Sequence, residues 1–225
     1  MLVKCGAALL ICVIGVSVFG QSTMDQMPNH DHKHVTASQL ASDSNATELV
    51  KKPGTVTVGT VQIPIPDLVV LDQNGTQKHF YSDLIKDKVV VLSFFFTSCV
   101  SVCPAMSVAL TKLQTNLGDK LGKDVFIITV TKDPETDTPA KLREWGNKVG
   151  VKPGWTMVTG ETKVIEKLVR DFTGDPLGRG LHNTVFILGS DKTGEWTDLH
   201  EFTSADELRQ QVDLLSKPVT VSDLH

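Results

Sequence analysis

The sequence of 225 residues has no cluster of lysine and arginine, and its formal net charge is -4. Binding to a nucleic-acid backbone needs concentrated positive charge, so the composition argues against that class of partner. After residue 20 the chain also lacks an apolar run of the ~20 residues that a spanning helix needs, and no internal repeat is visible. The roughly two hundred remaining residues suit one domain with a sizeable core.

Cysteine is scarce, and two of the four cysteines lie in an N-terminal leader. The apolar run Cys5–Phe19 follows a lysine, and the small or modest residues before Gln21 predict cleavage at that point. We therefore expect residues 1–20 to be a signal peptide that directs the protein to the periplasm or another extracytoplasmic compartment, with no stable membrane span after cleavage. The alternative is that residues 5–19 are retained as an anchor, although this run is short for a spanning helix.

Residues 21–53 are polar, with few large aliphatic side chains and no periodicity, which predicts a flexible arm. The arm contains thioether and imidazole side chains, which are ligands for copper. They are Met24, Met27, His30, His32 and His34. Two interpretations remain open for this cluster, an auxiliary copper site and an ordinary solvated tail.

The two cysteines that remain after cleavage, Cys99 and Cys103, follow the apolar run Lys88–Phe96. This position predicts that they lie where a buried strand gives way to a helix, and their spacing of four places them on one face of a helical turn. Such a pair can hold one soft metal ion or close into a disulfide. The positive end of the helix dipole is expected to favour the thiolate, which is the reactive and metal-binding form.

The apolar run Lys88–Phe96 predicts a strand that is buried on both faces, inside a parallel or mixed sheet. Before it, a short strand is expected within Thr55–Ile63, and Asn74-Gly75 predicts a tight hairpin turn. The entry to the domain is therefore expected to be a β-hairpin.

Beyond the dithiol, strands alternate with helices and are followed by a hairpin over residues 184–199 and a last helix over 205–215. This order predicts an α/β domain with a thioredoxin-like fold. We assign it to residues 54–217, with residues 218–225 as a C-terminal tail.

Three segments of the chain stand out together: the dithiol segment Thr97–Pro104, the segment Asp133–Pro139 and the segment His182–Leu188. In this order and at these separations they resemble the Sco/SenC family of copper chaperones for cytochrome c oxidase assembly. The resemblance extends over nearly the whole folded domain. It implies that Cys99, Cys103 and His182 bind copper, and that the recipient is an oxidase copper subunit or another exported cuproprotein.

The chemistry of these side chains is consistent with the implied site. Two thiolates and one imidazole form a three-coordinate site that suits Cu(I), with room for a further ligand around Cu(II). Since the cysteines must be reduced to bind, a thiol reductant is an implied partner. On this interpretation the protein is a metal carrier rather than an enzyme.

A thiol-disulfide oxidoreductase is the alternative interpretation. In that case Cys99, which is expected to be the more exposed thiol at the end of the strand, attacks a disulfide of the partner and Cys103 resolves the mixed disulfide. The two functions share the cysteines and differ at His182, because thioredoxin-type enzymes usually carry a cis-proline in the loop before this strand and residues 181–184 contain no proline.

Two acidic residues, Asp133 and Asp137, lie in the second of the three segments. Either a second ion or partner site, or a structural role in the loop and helix cap, is compatible with them. We favour the structural role, in which Asp137 or Thr138 caps a helix that starts with Pro139.

Overall fold

The computed structural model describes residues 54–58, 61–100, 103–173, 186–199 and 203–217. The predicted leader, arm and C-terminal tail fall outside these ranges, so their assignments remain predictions. Within the described ranges, no helix combines the length and the apolar character needed to cross a membrane.

The described residues form nine strands, four α-helices and one short 3-10 helix, Gly118–Lys120. The strands are β1 (Thr55–Val58), β2 (Val61–Pro64), β3 (Val69–Asp72), β4 (Gln77–His79), β5 (Val89–Phe95), β6 (Val125–Thr131), β7 (Trp155–Thr159), β8 (Phe186–Ser190) and β9 (Glu195–Leu199). The helices are α1 (Cys103–Leu117), α2 (Pro139–Val149), α3 (Thr162–Thr173) and α4 (Ala205–Leu215).

Seven of the strands form one mixed sheet in the order β4-β3-β7-β6-β5-β8-β9. Strand β5 runs parallel to β6 and antiparallel to β8, and all seven of its residues are buried. This confirms the interior strand that the apolar run predicted. The mixed sheet with helices on both faces is the thioredoxin-like α/β fold expected from the sequence.

Successive side chains of β5 point to opposite faces of the sheet, as strand geometry requires. Val91 belongs to the apolar core shared with α1, α2 and α4, whereas Val90 belongs to the core shared with α3. On α1 the predicted helical spacing is confirmed, because its apolar residues are buried against the sheet. They are Met106, Leu110, Leu113 and Leu117.

The N-terminal part of the domain differs from the sequence prediction in one respect. Instead of a single strand within Thr55–Ile63, β1 and β2 form a separate two-stranded antiparallel sheet. Short apolar segments do not reveal a turn within them, which explains the error. The second predicted feature is correct: β3 and β4 pair as a hairpin, and Gly75 in the turn has a φ of 80°, a conformation that glycine adopts without strain.

Candidate metal centre

The two thiols lie where the sequence analysis expected them, between the end of β5 and the start of α1. Cys103 is the first residue of α1 and is buried, whereas Cys99 precedes the helix and is half-buried. The backbone amide of Cys99 donates a hydrogen bond to the carbonyl of Phe96 at 3.1 Å. This turn directs the chain out of the sheet and toward the helix.

Cys99 and Cys103 are thiols in this structure, and a hydrogen bond joins their side chains. Two sulfur atoms in hydrogen-bond contact can bind the same metal ion, and they are also neighbours that an oxidant can join as a disulfide. The geometry therefore permits both of the chemistries that the sequence spacing left open.

Burial, which has the largest effect, and the hydrogen bond with Cys99 together raise the pKa of the Cys103 thiol to about 12, although backbone hydrogen bonds at Phe96 and Cys103 act in the opposite direction. The expectation that the helix dipole would favour a thiolate is therefore wrong for Cys103. Its sulfur lies inside the apolar core, where the loss of hydration disfavours the charged form. In the metal-free protein Cys103 keeps its proton, and an incoming metal ion has to displace that proton.

The two thiols are expected to differ in reactivity. At about pH 8, iodoacetamide should modify Cys99 at least about tenfold faster than Cys103, because only the thiolate reacts and Cys103 is both buried and protonated. The Cys103 rate should continue to increase as the pH rises toward 12. Mass spectrometry of proteolytic peptides measures both rates, with the urea-unfolded protein as the control in which they should converge. Equal rates in the native protein would contradict this assignment.

A buried carboxylate holds the segment that leads to the dithiol. Asp137 is fully buried and accepts hydrogen bonds from the backbone amide of Thr97 at 3.0 Å, from the Thr97 hydroxyl, and from the Thr131 hydroxyl at 2.6 Å. Thr97 lies two residues before Cys99. Asp137 therefore connects the end of β6 to the segment that positions the first thiol.

This network refines the sequence interpretation of the two acidic residues. Thr138 is the N-cap of α2, since its hydroxyl accepts a hydrogen bond from the amide of Lys141, and Pro139 occupies the first turn. Asp137 has a structural role, as favoured, but it anchors the Thr97 segment instead of capping the helix. The sequence signal that we missed is topological: β5 and β6 are parallel neighbours, so the residues that follow them meet at one edge of the sheet.

A pair of packed aromatic side chains lies beside the dithiol. Trp145 of α2 packs against Phe95 with ring centroids 4.7 Å apart, and it lines a cavity of about 520 Å³ together with both cysteines. No motif in the sequence marks Trp145 as a site residue. Its helical position indicates only that it faces the sheet, and its proximity to the thiols depends on how α2 packs beside α1.

The remaining predicted ligands are not all described. His182 and the five arm residues Met24, Met27, His30, His32 and His34 lie outside the described residues. Within the described ranges, no three side chains of the metal-binding types cluster together. The described residues therefore contain two of the three main predicted ligands, and the place of His182 beside them remains a prediction. His79, expected to be a surface residue, is 57% exposed and lies 3.8 Å from Asp67.

Comparison with known proteins gives consistent results. Residues 67–175 match the family model described as SCO1/SenC. A SCO1 protein homologue of Bacillus subtilis is 30% identical over 103 residues, which cover 44% of this chain and 53% of that protein. The match thus spans about half the length of this curated relative.

Two solved structures show the same fold. The structure of BsSco, a member of the Sco family of cytochrome c oxidase assembly proteins with an identified disulfide switch, covers 76% of this chain and 99% of its own, with a TM-score of 0.59 and 24% identity. Yeast Sco1 with copper bound covers 78% and 98%, with a TM-score of 0.56 and 17% identity. At these identities the likeness establishes the fold.

Proposed function

Because this chain belongs to the Sco/SenC family, we propose that it binds copper at Cys99, Cys103 and His182 and delivers the ion to another protein. The observation that carries the proposal is the contact between the two thiols at the start of α1. Sulfur ligands favour Cu(I), and the copper-bound state of yeast Sco1 supports copper as the ion. An imidazole from His182 would complete a three-coordinate site.

The half-buried position of Cys99 suits transfer of the ion. A recipient can approach one sulfur from solvent while Cys103 still holds the metal from the core side. With only three protein ligands, the ion can pass to the recipient by stepwise ligand exchange. We propose a cytochrome c oxidase copper subunit or another exported cuproprotein as the recipient, which the assembly role given for BsSco supports.

Two further elements complete the proposal. A thiol reductant must keep Cys99 and Cys103 reduced, since a disulfide offers no thiolate to the metal. The histidine and methionine residues of the arm, residues 21–53, would serve as an auxiliary copper site in the extracytoplasmic compartment to which the leader directs the chain.

A thiol-disulfide oxidoreductase is the second candidate, and the unequal burial of the two thiols favours it. The more accessible Cys99 would attack the partner disulfide, and the buried Cys103 would resolve the mixed disulfide. This chemistry needs both cysteines but not His182. Loss of His182 should therefore impair copper binding but not disulfide exchange.

Substituting His182 tests the choice directly. We expect His182→Ala to weaken Cu(I) binding by the reduced protein by about tenfold or more, because one of three ligands is lost, while Cys99 and Cys103 still form a disulfide. Competition with a chromophoric Cu(I) chelator measures the affinity. The matched control is His79→Ala, which removes an exposed histidine from the edge of the sheet and should leave the affinity unchanged. Unchanged affinity in His182→Ala together with disulfide reductase turnover by the wild type would favour the enzyme.

A further inference from the structure

A groove extends from the dithiol along the surface between α1 and α2. Cys99 and Cys103 line one end, and one exposed row of α1, Pro104, Val108 and Lys112, forms one wall. These three residues follow one another at intervals of four and so lie on the same helix face. Val108 is 54% exposed and gives this wall an apolar surface that solvent and a ligand can reach.

The opposite wall is also apolar next to the thiols. Trp145 and Val149 of α2 line the groove and are only partly buried. Because the thiols themselves line the groove, a protein segment that lies between these walls reaches them. The groove is therefore continuous with the place where the exchange chemistry occurs.

The charge of the groove is opposite to that of the chain. Lys112 is its one charged lining residue among the described residues, and none of the ion pairs found there involves Lys112. A net positive groove on a chain of charge -4 is complementary to an acidic ligand.

The distance along α1 between the thiols and Lys112 determines where an acidic side chain of the ligand should lie. Pro104, at the thiol end, and Lys112 are eight residues apart, or about 12 Å along the helix axis. An extended chain advances about 3.3 Å per residue, so it covers this length in about four residues.

We propose that the groove binds an extended segment of the copper recipient, and that Lys112 selects a segment with an acidic side chain about four residues from the residue that meets the thiols. The apolar walls accept an aliphatic side chain between these two points. The identity of the partner as a copper recipient rests on the proposed function. The preference for an acidic segment depends only on the position of Lys112 in the groove.

Covalent trapping on Cys99 tests the selection without knowledge of the recipient. The probe is the capped peptide Asp-Ala-Leu-Ala-Cys-Ala-Leu-Ala-Asp, with its cysteine in a mixed disulfide with thionitrobenzoate. In the Cys103→Ser protein, the Cys99 thiolate attacks the peptide sulfur, forms a protein–peptide disulfide and releases thionitrobenzoate, whose absorbance gives the rate. A second peptide carries Lys in place of both Asp residues. Each rate is divided by the rate with uncharged hydroxyethyl disulfide, which corrects for changes in the reactivity of Cys99.

At low salt, the acidic peptide should react about threefold faster than the basic one, as one partly exposed charge pair allows. Adding Lys112→Glu should reverse the preference, and ~1 M salt should bring the ratio toward one. The matched control is Lys163→Glu, the same charge change at an exposed site on α3, across the sheet. A ratio of one in the Cys103→Ser protein, or equal effects of Lys112→Glu and Lys163→Glu, would overturn the proposal.

The wild-type protein is titrated with Cu(I) in parallel. Failure to bind one copper ion would contradict the proposed function and leave the charge preference of the groove intact. Copper binding without any charge preference in trapping would contradict the groove assignment alone.

Discussion

Replacing both Cys99 and Cys103 with serine is expected to reduce the Cu(I) affinity of the domain by more than about a hundredfold. Removing a residue that only hydrogen-bonds to a metal ligand lowers the affinity for the metal by about ten- to a hundredfold. This change removes two of the three proposed ligands themselves, so a larger loss of affinity is expected. A hydroxyl does not replace a thiolate for a soft ion. Chelator competition on the reduced protein from about residue 52 measures the effect, and circular dichroism verifies that the variant is folded.

The other two cysteines provide the matched control. Replacing Cys5 and Cys12 with serine in the full chain is the same chemical change outside the predicted mature protein, and it should leave the affinity unchanged. The oxidised wild-type domain is a second control, since both sulfur atoms are then committed to the disulfide and copper should be lost. Tight one-to-one binding by the Cys99→Ser/Cys103→Ser domain would show that the dithiol is not the copper site.

Replacing Asp137 with alanine should lower the free energy of unfolding by about 3 kcal/mol, the upper range for removing one buried, charged hydrogen-bond partner. The change leaves the amide and hydroxyl of Thr97 and the hydroxyl of Thr131 without their acceptor. Urea unfolding measures the loss. Because Thr97 leads directly to Cys99, the variant should also bind copper more weakly.

Two companion variants sharpen this experiment. Asp137→Asn keeps the shape but turns one acceptor into a donor that faces the donors of Thr97, so an intermediate loss is expected. Asp133→Ala is the matched control: Asp133 lies in the same loop and is half-buried, and its substitution should change stability by no more than about 0.5 kcal/mol. Equal stability of Asp137→Ala and Asp133→Ala would show that Asp137 is not an anchor.

The elements that the sequence predicted well have a local physical cause. The run at β5 is apolar at six of its seven positions because both faces of an interior strand are covered, and the structure buries all seven of its residues. The predicted last helix, residues 205–215, has the observed bounds, since Ser204 and Glu207 form a capping box that marks its start. Such signals lie within a few residues of each other and can be read without the fold.

Apart from the turn between β1 and β2, the predictions that failed or were missing concern contacts between distant parts of the chain. The pKa of the Cys103 thiol depends on burial in the apolar core, whose effect outweighs that of the dipole of its own helix. The anchoring of Thr97 by Asp137 joins residues that are 40 positions apart, at the shared edge of two parallel strands. Neither spacing nor composition carries this information.

For the candidate site, the order of residues was sufficient to identify Cys99 and Cys103 as a pair at a strand-to-helix junction, because their spacing and the flanking apolar pattern are local properties. Only tertiary packing decided how deeply Cys103 is buried, what holds the segment before Cys99, and that a positive groove between α1 and α2 begins at the thiols. The physical reason is that burial, charge environment and surface shape arise where elements from separate parts of the chain meet.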